Sequence, residues 1–264
     1  MIERRDTQAR PSVGIIGGVG PQATVDLMQR VIDRTPADDD ADHVRMIVDN
    51  DPAVPSRIKA LIEMTGPSPA PYLATMARGL VAMGADMLAM PCNTAHHYLD
   101  DIRAAAAPVK VLDMVALTAD RIAALPVRPR SVGLLASTAV RLTGLYDRAL
   151  ADRGIQALYP SNQDAVLAVI KAVKAGNTGS APQARILAAA SDLQAQGAGA
   201  LVIACTEISA LGIALPDALP ALDALDVLAD AIVAYARPSS RAPHAGTASA
   251  PIHPPKFMPQ GEKA

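Results

Sequence analysis

The sequence predicts an α/β protein built as two pseudo-symmetric, Rossmann-like lobes with parallel sheets and a cleft between them. Short apolar runs alternate with helical stretches of about 10 to 15 residues, the signature of βαβ units whose sheets are covered on both faces. The pattern then begins again: Val132-Gly133-Leu134-Leu135 matches Val13-Gly14-Ile15-Ile16 at a distance of 119 residues. A second repeat is sharper. Gly84-Ala85 precedes Cys92 by eight residues and Gly197-Ala198 precedes Cys205 by the same eight, with an apolar run between in each case.

In chain order, Ser12 to Gly20 reads as a strand that stops in glycines, and Pro21 then opens a helical segment over Ala23 to Arg34. Val44 to Val48 is a strand ending in Asp49-Asn50-Asp51-Pro52, followed by a Pro-rich surface loop and a helix from Tyr72 to Met83. Met87 to Met90 is a buried strand, Pro91-Cys92-Asn93-Thr94 follows it, a helix continues through Ala107, and Lys110 to Leu112 is a further short strand. The second half repeats this order from Val132. Beyond Arg237 six prolines fall between Pro238 and Pro259 without periodicity, so residues 237–264 read as a disordered tail. That tail holds Phe257, the chain's one Phe.

Composition narrows the function. The chain has 264 residues, a formal net charge of −2, 50% hydrophobic and 2% aromatic residues. Near-neutral charge and few stacking surfaces argue against nucleic acid or an anionic membrane as partner. Two cysteines exclude a disulfide-dense scaffold or a four-thiolate zinc site and point to the reducing cytoplasm. Met1 to Arg10 is polar, and no run approaches the ~20 apolar residues that span a bilayer.

A lone free cysteine at a strand end usually only packs. Here the two cysteines occupy matching places in two repeats, each where a strand gives way to a helix and each beside small hydrogen-bonding residues. Unpaired N–H groups and the positive end of a helix dipole are expected to lower such a thiol's pKa from about 8.5 toward neutrality. Two thiols facing one another across a cleft suit an exchange of protons on opposite faces of one carbon.

Four motifs then coincide: Met90-Pro91-Cys92-Asn93-Thr94-Ala95-His96, Ala204-Cys205-Thr206-Glu207-Ile208, the opening Gly14-Ile15-Ile16-Gly17-Gly18-Val19-Gly20-Pro21-Gln22-Ala23-Thr24, and Lys171-Ala172-Val173-Lys174-Ala175-Gly176-Asn177. In this order, from about Val13 to Tyr235, they resemble the aspartate/glutamate racemase family, its aspartate racemase branch most closely. The resemblance implies racemisation of L- and D-aspartate, with glutamate the other candidate, by two bases and without cofactor or metal. It also implies a homodimer, with Cys92 the thiol facing the D-enantiomer and Cys205 the one facing the L-enantiomer. Arg57 and Lys174 match positions that hold the substrate's carboxylates, which suits a guanidinium fork and a second cation. Asn93, Thr94, Ser137, Thr138, Thr206 and Glu207 complete the expected substrate-binding set; the hydroxyl and amide residues among them are also natural helix caps. In the family the last helix returns to the first lobe, which gives lobes of residues 11–113 plus 216–236 and 114–215.

Some residues depart from the family pattern. Ser56 stands where an Asp often precedes the Arg and Val19 where Met is common, which bears on the substrate more than on the reaction. Glu207 replaces the His usual in glutamate racemases. Gly18-Val19-Gly20-Pro21-Gln22-Ala23 fits a dinucleotide fingerprint only formally, because Pro21 lacks an N–H and Asp49 lies 31 residues beyond Gly18 where about 20 are expected. His96 and His97 are read as structural. Competing functions are a maleate-type isomerase of the same superfamily and a non-catalytic two-lobed protein that binds a small acidic ligand.

Overall fold

The structure, a computed structural model, describes residues 11–215 and 218–237. The expected tail at 237–264 lies, beyond Arg237, outside the described residues. The first half runs β1 (Ser12–Gly17), α1 (Pro21–Arg34), β2 (Arg45–Asn50), α2 (Arg57–Leu61), α3 (Ala70–Ala82), β3 (Met87–Ala89), a 3₁₀ turn at Thr94–Tyr98, α4 (Leu99–Ala106) and β4 (Lys110–Val111). Helix α5 (Met114–Ala123) leads to β5 (Ser131–Ala136), α6 (Thr138–Thr143), α7 (Leu145–Ala151), β6 (Gln156–Leu158), α8 (Gln163–Lys174) and α9 (Ser180–Ala195). The described residues close with β7 (Ala200–Ala204), α10 (Thr206–Ser209), β8 (Ala221–Asp223) and α11 (Ala224–Ala236).

Two four-stranded parallel sheets result, ordered β2-β1-β3-β4 and β6-β5-β7-β8. The orders are the same, so the sequence repeat is a structural one: β1 aligns Val13 with Met87 of β3, and β5 aligns Val132 with Ala200 of β7. Each central strand alternates between two cores. Val13 and Ile15 face one side and Ile16 the other, as Val132 and Leu134 oppose Leu135.

The Gly-Ala pairs seen in sequence are helix stops. Gly84 and Gly197 hold φ of 90° and 91°, a left-handed geometry open to glycine at little steric cost. Ala85 N–H bonds Leu80 O at 3.0 Å and Ala198 N–H bonds Leu193 O at 3.1 Å, the six-to-one link of a Schellman ending. Each stop aims the next strand, β3 or β7, at the middle of its sheet. Gly14 and Gly133 serve the packing beside it. An added Cβ would stand 2.6 Å from the Leu88 side chain in one lobe and 2.8 Å from Leu201 in the other.

The lobes exchange helices. Helix α5 begins with Met114 in the first lobe's core and buries Val115, Ala119 and Ile122 in the second's. Helix α11 begins at β8 and buries Leu225, Leu228, Ala229 and Ile232 against Val13, Ile15 and Leu27 of the first. Strand β8 itself hydrogen-bonds along β7. Of residues 216–236, assigned to the first lobe from sequence, it is therefore α11 that packs there, while 221–223 complete the second sheet; three residues pair with whichever sheet edge is adjacent. The loop after β2 also contains α2, started by Ser56, whose Oγ accepts from Lys59 N–H at 3.3 Å.

Candidate active site

In parallel sheets the carboxyl ends of the strands face a crevice where ligands bind. Both cysteines lie there. Cys92 follows β3 by three residues and Cys205 follows β7 directly as the N-cap of α10. Both are free and buried, at 8% and 6% exposure. Their cores correspond as well, each thiol packing on the face of its sheet that carries Ile16 or Leu135.

Lys174, at the end of α8, pairs with Glu207 Oε1, while Cys205 Sγ donates to Glu207 Oε2 at 3.1 Å. Burial alone would depress the Lys174 ammonium, but the Glu207 charge and the fields of Cys92 and Cys205 raise its pKa overall. Both thiols therefore lie within the field of one ammonium group. At Glu207 burial pushes the carboxyl up, and Lys174 with the thiol bond brings it below the usual range.

The Cys205 thiol departs from the sequence expectation of a depressed pKa. Burial and then the Glu207 carboxylate drive it well above the ordinary cysteine value. The N–H of Glu207 and the Lys174 charge act in the expected direction and are outweighed. A four-residue helix supplies little dipole, whereas removing a thiolate from water beside an anion is costly. Cys205 thus rests as a thiol that already points its proton at a carboxylate.

The two lobes meet around these groups. Thr94 Oγ1 and Ser137 Oγ lie 3.0 Å apart, and Tyr146 Oη donates to Asn93 Oδ1 at 2.7 Å. Ser137 also caps α6, accepting from Val140 N–H at 3.3 Å. Thr138 Oγ1 and Asn93 Nδ2 are buried without a hydrogen-bond partner, two polar atoms beside the cleft that a bound molecule can satisfy. Thr206 is buried next to Cys205. The glycine loop approaches from the first lobe: a Cβ on Gly20, whose φ is 113°, would lie 3.4 Å from Glu207 Oε1.

Arg57 is turned back onto its own loop. Its Nη1 donates to Pro55 O at 3.0 Å, and its charge is felt by Tyr98, whose hydroxyl burial raises and Arg57 partly lowers. Helix α2, which carries it, lies against α6 of the other lobe. Tyr146 was not expected at the site, since a single tyrosine within a helix gives no sequence signal. Gln163 was missed for the same reason; it is buried, donates to Ala136 O at 2.8 Å and leaves Oε1 without a partner.

Two matched parallel lobes thus exchange their crossover helices, and each carries a buried thiol at the same strand end. The chain belongs to the Asp/Glu/Hydantoin racemase family, whose model matches residues 16–232. It is similar to the aspartate racemase of Picrophilus torridus, with a TM-score of 0.75 and 31% identity over 86% of this chain and 94% of that one. The broad specificity amino-acid racemase RacX of Bacillus subtilis is 26% identical over 84% of this chain and 96% of its own length. The glutamate racemase of Francisella tularensis shares the fold at a TM-score of 0.60 and 15% identity, covering 84% and 80% of the two chains. Among the described residues no helix is long and apolar enough to cross a membrane.

Proposed function

We propose that this racemase interconverts L- and D-aspartate with Cys92 and Cys205 as the two bases and without a cofactor. The observation that carries this reading is the placement of both thiols at equivalent strand ends within the field of Lys174. An α-carbon between them presents its hydrogen to one thiolate. That sulfur takes the α-proton, the electron pair moves into the α-carboxylate as an enediolate, and the opposite S–H gives its proton to the other face. The first sulfur is left protonated and the second ionised, and exchange with solvent resets the pair. When Cys205 is the base, its proton passes first to Glu207, the carboxylate it already faces. Lys174 stabilises the negative charge that develops. Arg57 takes a carboxylate after releasing Pro55 O, and Asn93, Thr94, Ser137, Thr138 and Thr206 supply hydrogen bonds to the amino acid. The active form is a homodimer, read by light scattering.

The test is proton chemistry. In deuterated water the chain should wash deuterium into the α-position of both enantiomers of aspartate with nothing added. Wild-type racemisation by a Cys92→Ala, Cys205→Ala double variant would end the proposal. The name carried by the Bacillus relative, together with Ser56 acting as a helix cap where a carboxylate would adjoin Arg57, favours a second reading of wider substrate range. A panel of amino-acid enantiomers resolved by chiral chromatography separates the two.

A further inference from the structure

The residue four positions beyond each thiol repeats a connection that the proposed chemistry does not use. His96 Nδ1 lies 2.8 Å from Cys92 O, and Ser209, which likewise stands four beyond Cys205, approaches Cys205 O with its N–H at 3.1 Å and its Oγ at 3.4 Å. Both residues are buried, at 4% and 7% exposure. Each also holds the start of the next crossover helix. Met114 N–H, the first of α5, donates to His96 Nε2 at 3.0 Å, and Ser209 Oγ donates to Asp223 Oδ1 at 2.8 Å. Asp223 is the N-cap of α11, as Asp113 is of α5, and each Asp meets an arginine, Arg30 or Arg103.

The hydrogen-bond network assigns the imidazole tautomer. Nε2 accepts an amide N–H and so carries no proton, which leaves Nδ1–H to donate to the Cys92 carbonyl. A fully buried ring, whose pKa burial lowers, stays in this neutral form. At Ser209 the single hydroxyl proton serves Asp223, the shorter bond, and its N–H secures the cysteine carbonyl.

We propose that His96 and Ser209 are paired positioning residues that tie the backbone of each thiol to the helix leaving its lobe, so that the relation between the lobes sets where each sulfur stands. The proposal rests on the two-thiol reading above. It assigns His96 to the half-reaction of Cys92 and Ser209 to that of Cys205. The ring clamps both ends of its connection firmly and the serine less so, which makes the two half-reactions unequally sensitive.

The experiment uses the full chain and α-deuterated D- and L-aspartate, with the isotope effect on kcat/KM measured in each direction. His96→Ala should lower kcat about 10- to 100-fold, the scale of an ångström-level misplacement, with KM little changed. It should raise the isotope effect in one direction only. Ser209→Ala should raise it in the opposite direction by less, and His96→Asn, which keeps an N–H near the place of Nδ1, should recover most of the rate. The proposal is overturned if either variant shifts both directions together, or if kcat stays at the wild-type level while only Tm falls. Cys92→Ser and Cys205→Ser run alongside: wild-type rates in both overturn the two-thiol reading itself, whereas their loss with direction-blind effects at His96 and Ser209 overturns the positioning role alone.

Discussion

Glu207 accepts the Cys205 thiol proton through one carboxylate oxygen at 3.1 Å, with the other oxygen committed to Lys174. The thiol is thereby raised by an anion and supplied with a proton acceptor by the same group. Replacing Glu207 by Gln keeps the shape and removes both effects. The pKa of Cys205 should fall, so its alkylation by iodoacetamide should set in at lower pH, while kcat drops by about 100-fold as the acceptor is lost. Peptide mass spectrometry across a pH series follows the first and chiral assay the second. An unchanged alkylation profile contradicts the electrostatic account.

The same carboxyl governs stability in acid. In the native state it binds a proton less readily than in the unfolded chain, where the ordinary value is 4.5. Below that pH the unfolded chain takes up the proton first, so Glu207 stabilises the fold above about pH 4.5 and loses this effect as pH falls through its lower native value. The Tm difference between wild type and Glu207→Gln should therefore shrink on acidification from pH 6 to about 3. A difference that grows over that range carries the wrong sign.

Across the lobe interface, Tyr146→Phe removes the hydroxyl that satisfies Asn93 Oδ1 in a buried setting. Asn93 Nδ2 already lacks a partner, so the variant leaves the whole amide unsatisfied. A loss of about 1 to 3 kcal/mol is expected, seen as a lower urea midpoint at unchanged m-value. Equal midpoints would show that this bond contributes nothing net.

Substrate range turns on Arg57. A lysine there keeps the charge and forfeits the planar fork. Arg57→Lys should raise KM for aspartate about 10-fold or more and leave neutral amino acids nearly unaffected, if the guanidinium holds the side-chain carboxylate. Parallel increases for aspartate and alanine would instead place Arg57 on the α-carboxylate common to both.

Much of this architecture was written in short-range signals. Gly84-Ala85 and Gly197-Ala198 mark helix stops because left-handed backbone selects glycine, and the equal spacing to Cys92 and Cys205 follows equal stops, the three residues of β3 with Met90 and Pro91 matching the five of β7. The contacts that tune the site were not legible. Tyr146 meets Asn93 across 53 residues and Lys174 meets Glu207 across 33, distances at which sequence spacing carries no geometry. The expected depression of the Cys205 pKa failed for an energetic reason: the helix-end effect is local and readable, while burial is a property of the assembled core. Strand β8 fell on the second sheet because so short a segment is assigned by its neighbours, not by its own pattern.

Helix α11 covers Val13, Ile15 and Leu27 with Leu225, Leu228 and Ile232. On the ribosome the strand that needs this cover emerges some two hundred residues before the helix that provides it. The first lobe is thus the first to be synthesised and the last to be completed, and its apolar face must wait, exposed or shielded by a chaperone, until the second lobe has been made. A nascent chain stopped before Ala224 carries every residue of the proposed site and still lacks the surface that closes its oldest strand.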